Sequence, residues 1–304
     1  MKRREFIGQT LAASAGLSLG ATGLTSCESG GERKITILHT NDVHSHIEAF
    51  STDHNRYPGM GGIARRATLI ESVRKENPNT LLFDAGDIFQ GTPYFNYFGG
   101  EIEFKMMSKL GYDASTIGNH DFDNGLNGLE SQLPNAEFDF IVSNYDFSKT
   151  IMDGRSMAYK IYDRAGIKIG VFGLGIKLKG LVDPQLYKET KYLDPIELSQ
   201  DMVKKLKEEE KCDLVIALSH LGYNYRNNPD RASDLVLAKK TSDIDLIIGG
   251  HTHTFLKKPT VVRNLSDQNM LVNQVGCWGI QVGRIDFEFN SRGDISTKGR
   301  SIVV

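Results

Sequence analysis

The chain has 304 residues, 39% of them hydrophobic, with 36 Lys and Arg set against 38 Asp and Glu for a formal charge of −2. That is enough apolar surface for one large α/β domain or two small ones. Near-neutrality removes the electrostatic case for the folded part binding a nucleic-acid duplex or an anionic membrane.

The first residues, Met1-Lys2-Arg3-Arg4-Glu5-Phe6-Ile7, are basic, and an uncharged stretch rich in Ala, Gly, Leu and Ser runs from Gly8 to Leu24. This is a signal-peptide layout, too weakly apolar for a membrane-spanning helix. Arg3-Arg4 followed by Phe6-Ile7 resembles a twin-arginine export signal. Leu24-Thr25-Ser26-Cys27 resembles a bacterial lipobox, whose cysteine is lipidated and becomes the new N-terminus; an ordinary signal peptide with a chance cysteine is the alternative. The expectation is a signal peptide over 1–26, a lipid anchor to the membrane at Cys27, a tether over 27–33 and one domain over 34–304. The protein is expected to be exported, as a periplasmic or cell-surface lipoprotein of a bacterium. Cys212 and Cys277 remain, as buried thiols or as one disulfide.

From residue 35 onward, short apolar runs rich in β-branched residues read as buried strands, with helical patterns between several of them. Ile35–Leu38 leads into His39-Thr40-Asn41-Asp42-Val43-His44, and a helix follows over Ile63–Lys75. Thr80–Phe83 leads into Asp84-Ala85-Gly86-Asp87, and Gly111 stops a helix over Ile102–Leu110. Ala114–Ile117 leads into Gly118-Asn119-His120-Asp121, with further strands at Phe140–Val142 and Lys168–Phe172. Asp194-Pro195 starts a helix over Ile196–Glu209, and Leu214–Leu218 then leads into Ser219-His220. After a helix over Ser233–Lys240, Leu246–Ile248 leads into Gly249-Gly250-His251-Thr252-His253. The alternation predicts an α/β fold with a largely parallel or mixed sheet. The tail strands Met270–Val275, Gly283–Phe289 and Ser301–Val304 have no helices between them and predict a second sheet packed on the first.

A single polar residue at a strand end usually only turns the chain. Here five strand ends in succession carry metal-type ligands, and ligands bind outside the carboxyl ends of strands in open α/β sheets. Asp, His and Asn without Cys favour Mn, Zn, Fe or Mg over a thiolate-bound structural zinc. Seven residues, Asp42, His44, Asp87, Asn119, His220, His251 and His253, are too many for one ion with an open position. They suit two divalent ions if one carboxylate bridges. Two such ions offset by two Asp leave a pocket of about +1 even with a bound hydroxide, which draws in phosphate and activates water. His39, His46 and His54 are assigned no role.

The order Asp42-x-His44, Gly86-Asp87, Gly118-Asn119-His120-Asp121, His220 and Gly250-His251-x-His253 resembles the calcineurin-like metallophosphoesterases. Ile37–His44, Gly61-Gly62-Ile63-Ala64-Arg65, Gly86–Pro93 and Gly118–Asp123 resemble blocks of their 5′-nucleotidase branch, and the likeness spans about residues 34–304. It implies a four-layer α-β-β-α sandwich of two mixed β-sheets flanked by helices. It places Asp42, His44, Asp87 and His253 on one ion, and Asp87, Asn119, His220 and His251 on the other, with Asp87 bridging. His120 would stay off the metals and act on the phosphate or the leaving oxygen, oriented by Asp123, while Asn119 would also touch a phosphate oxygen.

The implied reaction is phosphomonoester hydrolysis of the 5′-nucleotidase type through a metal-bound hydroxide, on a phosphorylated small molecule such as a nucleotide. The same chemistry would serve a cyclic-nucleotide or nucleotide-sugar phosphodiesterase, or a hydrolase of sulfur compounds. A non-catalytic surface lipoprotein or partner subunit that keeps metals for its fold is the reading from another class; His120 and Asp123, unneeded for metal-dependent folding, speak against it. The resembled nucleotidases carry a C-terminal domain that supplies the nucleoside pocket. A separately encoded substrate-binding chain is therefore an expected partner, unless simple phosphoesters are handled unaided.

Overall fold

The computed structural model describes residues 33–304, so the signal-peptide and Cys27 expectations fall outside the described residues. Its strands are β1 (Arg33–Thr40), β2 (Thr80–Asp84), β3 (Ala114–Ser115), β4 (Asp139–Phe140), β5 (Tyr145–Asp146), β6 (Tyr159–Arg164) and β7 (Ile167–Leu174). They continue as β8 (Lys191–Tyr192), β9 (Leu214–Ser219), β10 (Leu246–Gly249), β11 (Thr260–Arg263), β12 (Asn269–Asn273), β13 (Gln281–Phe289) and β14 (Ile295–Val303). The α-helices are α1 (Ile63–Glu76), α2 (Pro93–Phe98), α3 (Glu101–Leu110), α4 (Gly125–Gln132), α5 (Pro184–Tyr187), α6 (Pro195–Lys204) and α7 (Asp234–Lys240).

Two six-stranded sheets form, in the orders β14-β13-β1-β2-β3-β4 and β11-β12-β10-β9-β7-β6. Both are mixed. β1 to β4 are parallel, with β13 antiparallel to β1. β7, β9, β10 and β12 are parallel, with β6 and β11 as antiparallel edges.

Successive side chains on a strand point to opposite faces, and this divides the core into layers. Ile35, Ile37, Leu81 and Phe83 meet Ile169, Val171, Ile216 and Leu218 between the sheets. Leu38 and Leu82 point the other way, onto Ile70, Val73, Phe104 and Leu126 from α1, α3 and α4. Val215, Ala217 and Ile247 pack on Val203 of α6, Leu206 just after it and Leu237 of α7. This is the expected α-β-β-α sandwich. Its central strands are covered on both faces, which is why they read as continuous apolar runs.

The expected helix signals act as written. Asp194 accepts from the backbone N–H groups of Ile196 and Glu197 at the start of α6, with Pro195 in the first turn. Gly111 ends α3 in the left-handed region at φ 69°. The helix expected over Ile196–Glu209 is α-helical only to Lys204, and its last stretch, Lys205–Glu209, loosens into a π-turn. The tail corrects a second expectation. β12 joins the second sheet, whereas β13 and β14 return to the first beside β1, so the tail does not form a sheet of its own. Cys212 and Cys277 are both free, buried thiols. Among the described residues no helix is long and apolar enough to cross a membrane.

His39, on β1, is fully buried, and burial pushes its pKa down to about 3. The neutral ring lies 2.8 Å from the Asn273 side-chain amide. Directly opposite in the ladder is Gly283, where an added Cβ would come within 2.0 Å of the ring. Gly283→Ala therefore overpacks the interior and is expected to cost about 1–3 kcal/mol. The measurement is the denaturant midpoint; an unchanged midpoint would mean that the ring moves aside freely.

Candidate metal centre

The ligand-bearing turns come from both sheets, from β1, β2 and β3 of the first and β9 and β10 of the second. They meet in two groups, Asp42 with His44 and His253, and Asp87 with His220 and His251, each with its ligand atoms within 4.8 Å of one another. Asn119 joins the second group, its Oδ1 lying 2.8 Å from His251 Nδ1. All seven expected ligands are thus brought together.

The backbone is bent to do this. Asp42, His44, Asp87, His251 and His253 all have positive φ, between 49° and 70°. A non-glycine residue in that region is uncommon and costs on the order of 1–3 kcal/mol, and such strain gathers at functional sites. Glycine supplies the close approach: a Cβ on Gly118 would sit 2.2 Å from Asp87 Oδ1, and one on Gly250 would sit 2.8 Å from His220 Nδ1.

The hydrogen bonds leave the right atoms free. His44 Nδ1 contacts the Phe89 carbonyl at 3.1 Å and His220 Nδ1 the Ala85 carbonyl at 2.6 Å. Each bond fixes its ring with Nε2 turned inward, the arrangement in which histidine serves a metal. His44 Nε2 and His253 Nε2 then face each other at 3.1 Å, and Asp42 Oδ1 lies 3.3 Å from His253 Nε2. His220 Nε2, fully buried, has no aligned hydrogen-bond partner and lies 3.0 Å from Asp87 Oδ2.

Burial works against charge on His220, yet the adjacent Asp87 and Asp42 carboxylates hold its pKa up to about 10. Burial likewise opposes charge on Asp87, but the histidines around it, His220 first, hold its carboxyl well below the usual range. At His251 burial together with His220 outweighs the same two carboxylates, and its pKa falls to about 4. Two buried carboxylates that draw a proton onto a histidine mark a place where positive charge belongs. The donor set fits a dinuclear divalent-metal site. Ions bound there would acidify a coordinated water and clamp phosphate oxygens.

His120 stands outside both groups. Its Nδ1 lies 2.9 Å from Asp123 Oδ2 within one short 3-10 turn, and its ring centroid is 5.3 Å from that of His44. The Asp123 contact raises the His120 pKa, against burial. The His120 backbone N–H donates to Asp87 Oδ1 at 2.8 Å, tying the two turns together.

Asp121 belongs to the site although no role for it was legible in the sequence. Its buried carboxylate accepts from four backbone N–H groups, those of Asp87, Ile88, Phe89 and Gly118, at 2.8–3.1 Å. Burial and the nearby Asp87 raise its pKa, while these amides hold the ionised form. It therefore pins the turn carrying Asp87 against the turn carrying Asn119. Asp121→Asn places an amide NH₂ against N–H donors, and a loss of about 2–4 kcal/mol is expected. The denaturant midpoint should fall together with the affinity for metal; a drop in neither would show that the turns hold themselves.

A layered sandwich with Asp/His ligands on the turns of two abutting sheets defines the calcineurin-like phosphoesterases, and the chain belongs to that family, whose model matches residues 35–255. Its fold is similar to that of the 5′-nucleotidase precursor from Thermus thermophilus, with 32% identity, a TM-score of 0.79, and 90% of this chain and 55% of that one covered. The sequence is 34% identical over 302 residues to the trifunctional nucleotide phosphoesterase protein YfkN of Bacillus subtilis, covering 89% of this chain and 19% of that protein. It is 34% identical over 296 residues to a snake venom 5′-nucleotidase of Crotalus adamanteus, covering 90% of this chain and 48% of that protein. The chain thus spans about half the length, or less, of these curated relatives.

Proposed function

We propose that this protein is a metal-dependent phosphomonoesterase of the 5′-nucleotidase type, with nucleotides as its substrate class. The observation that carries the reading is the His120–Asp123 pair, 2.9 Å apart and beside the metal groups but in neither of them. A protein that used metal only to hold its fold has no need of an oriented histidine there. On this reading Asp42, His44 and His253 would hold one ion, Asn119, His220 and His251 would hold the other, and Asp87 would serve both. His120 binds the phosphate and gives a proton to the leaving oxygen, which a carboxylate-supported imidazolium can do. Similarity to 5′-nucleotidases supports the monoester over the diester.

The test is an assay of the metal-reconstituted chain with AMP, a general phosphomonoester and a phosphodiester. Turnover of AMP at roughly 1–10³ s⁻¹, as enzymes ordinarily reach, supports the proposal and dispenses with a separately encoded substrate-binding chain. Preference for the diester would replace it with the phosphodiesterase reading, and no turnover of any of the three would leave the binding-subunit reading.

Export and membrane attachment through Cys27 belong to the same proposal, supported by the Arg3-Arg4 and Leu24–Cys27 patterns. Membrane fractionation with a Cys27→Ser variant tests this, and a variant that stays with the membrane overturns it.

A further inference from the structure

Beside the metal centre lies a run of aromatic rings that the proposed chemistry does not use. From His253 the chain of ring contacts passes to Trp278 at 6.4 Å between centroids, then to Tyr57 at 5.6 Å, and on to Phe255 at 6.0 Å. Phe50 closes the group from behind, 5.7 Å from both Trp278 and Tyr57. These rings are only partly buried, and Phe255 is 36% exposed. Contiguous exposed apolar surface is a mark of interaction sites and ligand-binding grooves.

Two observations show that the surface is held in place. Trp278, the one tryptophan of the chain, has a φ of 63°. For a bulky side chain this is a true outlier, and it persists only where its surroundings enforce it. Here the Trp278 backbone N–H donates to the carbonyl of Asp42 at 2.7 Å, so the ring's position is tied directly to a ligand-bearing turn. Phe255 is held by an antiparallel bridge to Val275 and packs where Gly276 has no side chain, since a Cβ there would lie 2.2 Å from the ring.

We propose that Trp278 and Phe255, backed by Tyr57, form the subsite for a planar aromatic group carried on the leaving alcohol of the phosphoester. The inference rests on the phosphomonoesterase reading and deepens it. The resemblance assigns the nucleoside pocket to a further domain, whereas this surface belongs to the metal-binding domain itself. The ring contacts also run from His120 through His44 to His253, so the aromatic surface continues from the side of the site where the proposed proton donor stands. A nucleobase or similar flat ring stacked there would leave its phosphate reaching toward the metals. Base–aromatic stacking is sequence-tolerant and worth about tenfold or more per contact.

The experiment has two arms, both on the metal-loaded full chain. Trp278 emission is titrated with adenosine and with ribose; adenosine is expected to quench it saturably and ribose not to. Absence of a saturable quench, or equal effects of the two, overturns the proposal. In the second arm kcat/KM is compared for AMP and ribose 5-phosphate, whose leaving alcohols are chemically alike. AMP is expected to be favoured, and Phe255→Leu and Tyr57→Leu, which retain the tryptophan, are expected to lower the AMP to ribose 5-phosphate ratio about tenfold. A purely structural role would depress both substrates together and leave the ratio unchanged, which overturns the subsite. Adenosine quenching without turnover of either ester would keep the subsite and remove the phosphomonoesterase reading. Turnover of both esters at equal kcat/KM would do the reverse.

Discussion

Replacing His120 by Asn lowers kcat for a phosphomonoester by about 10²–10⁴-fold while metal content stays the same. Asn is similar in size and keeps the backbone N–H that donates to Asp87 Oδ1, so the turn survives the change. What disappears is a ring whose Nδ1 is occupied by Asp123 and whose other nitrogen is free to act on substrate. Loss of bound metal together with activity would instead make His120 a support of the metal centre. The pH profile adds a second readout. The hydrogen bond that His120 donates to Asp123 is the leading cause that raises the His120 pKa, so the charged ring persists to higher pH than an ordinary histidine. If the charged form gives the proton, kcat falls as pH rises through that pKa. Asp123→Asn removes the cause and should move this falling limb to lower pH, whereas a limb that stays in place assigns the proton to another group.

The apolar strands were legible because burial on both faces leaves no polar residue to break runs such as Leu214–Leu218. The ligands were legible because Asp and Asn recur at strand ends together with His, and turn formation alone does not call for His. The edges of the sheets were not. β6, Tyr-Lys-Ile-Tyr-Asp-Arg, carries polar residues to solvent and lacks the apolar run that the reading relied on. β14 is mostly exposed, and only its last residues looked like a strand. Side-chain periodicity is the same whichever sheet a strand joins, which is why β13 and β14 were grouped with β12. Within the site, residue type pointed to seven ligands but said nothing of the positive φ that aims five of them. Nor can type show that Asp121 would collect four amides or that Trp278 would stand beside His253, since both depend on loops meeting across the sandwich.

Asp87→Asn is expected to reduce bound metal from two ions per chain to one or none and kcat by more than about 10³-fold. Both site aspartates lie near histidines of the two groups: Asp42 Oδ1 is 3.3 Å from His253 Nε2 and 3.9 Å from His220 Nε2. Distance alone therefore does not choose the bridge; the hydrogen bonds do. Both Asp42 oxygens accept from the His251 backbone N–H, and Oδ2 also accepts from the Asn41 side chain. Asp87 spends only Oδ1 on an amide, that of His120, and turns Oδ2 toward His220 at 3.0 Å and His44 at 3.9 Å. An oxygen with no amide donor and a histidine from each group beside it is the one that would serve both ions. An amide in its place carries no charge and cannot offset two cations at once. Asp42→Asn, by contrast, should weaken chiefly the ion held with His44 and His253. Metal analysis after gel filtration separates the two variants, and the rise in melting temperature on adding metal should shrink most for Asp87→Asn, because that rise measures binding to the folded state. Two ions retained by Asp87→Asn and lost from Asp42→Asn would transfer the bridge to Asp42.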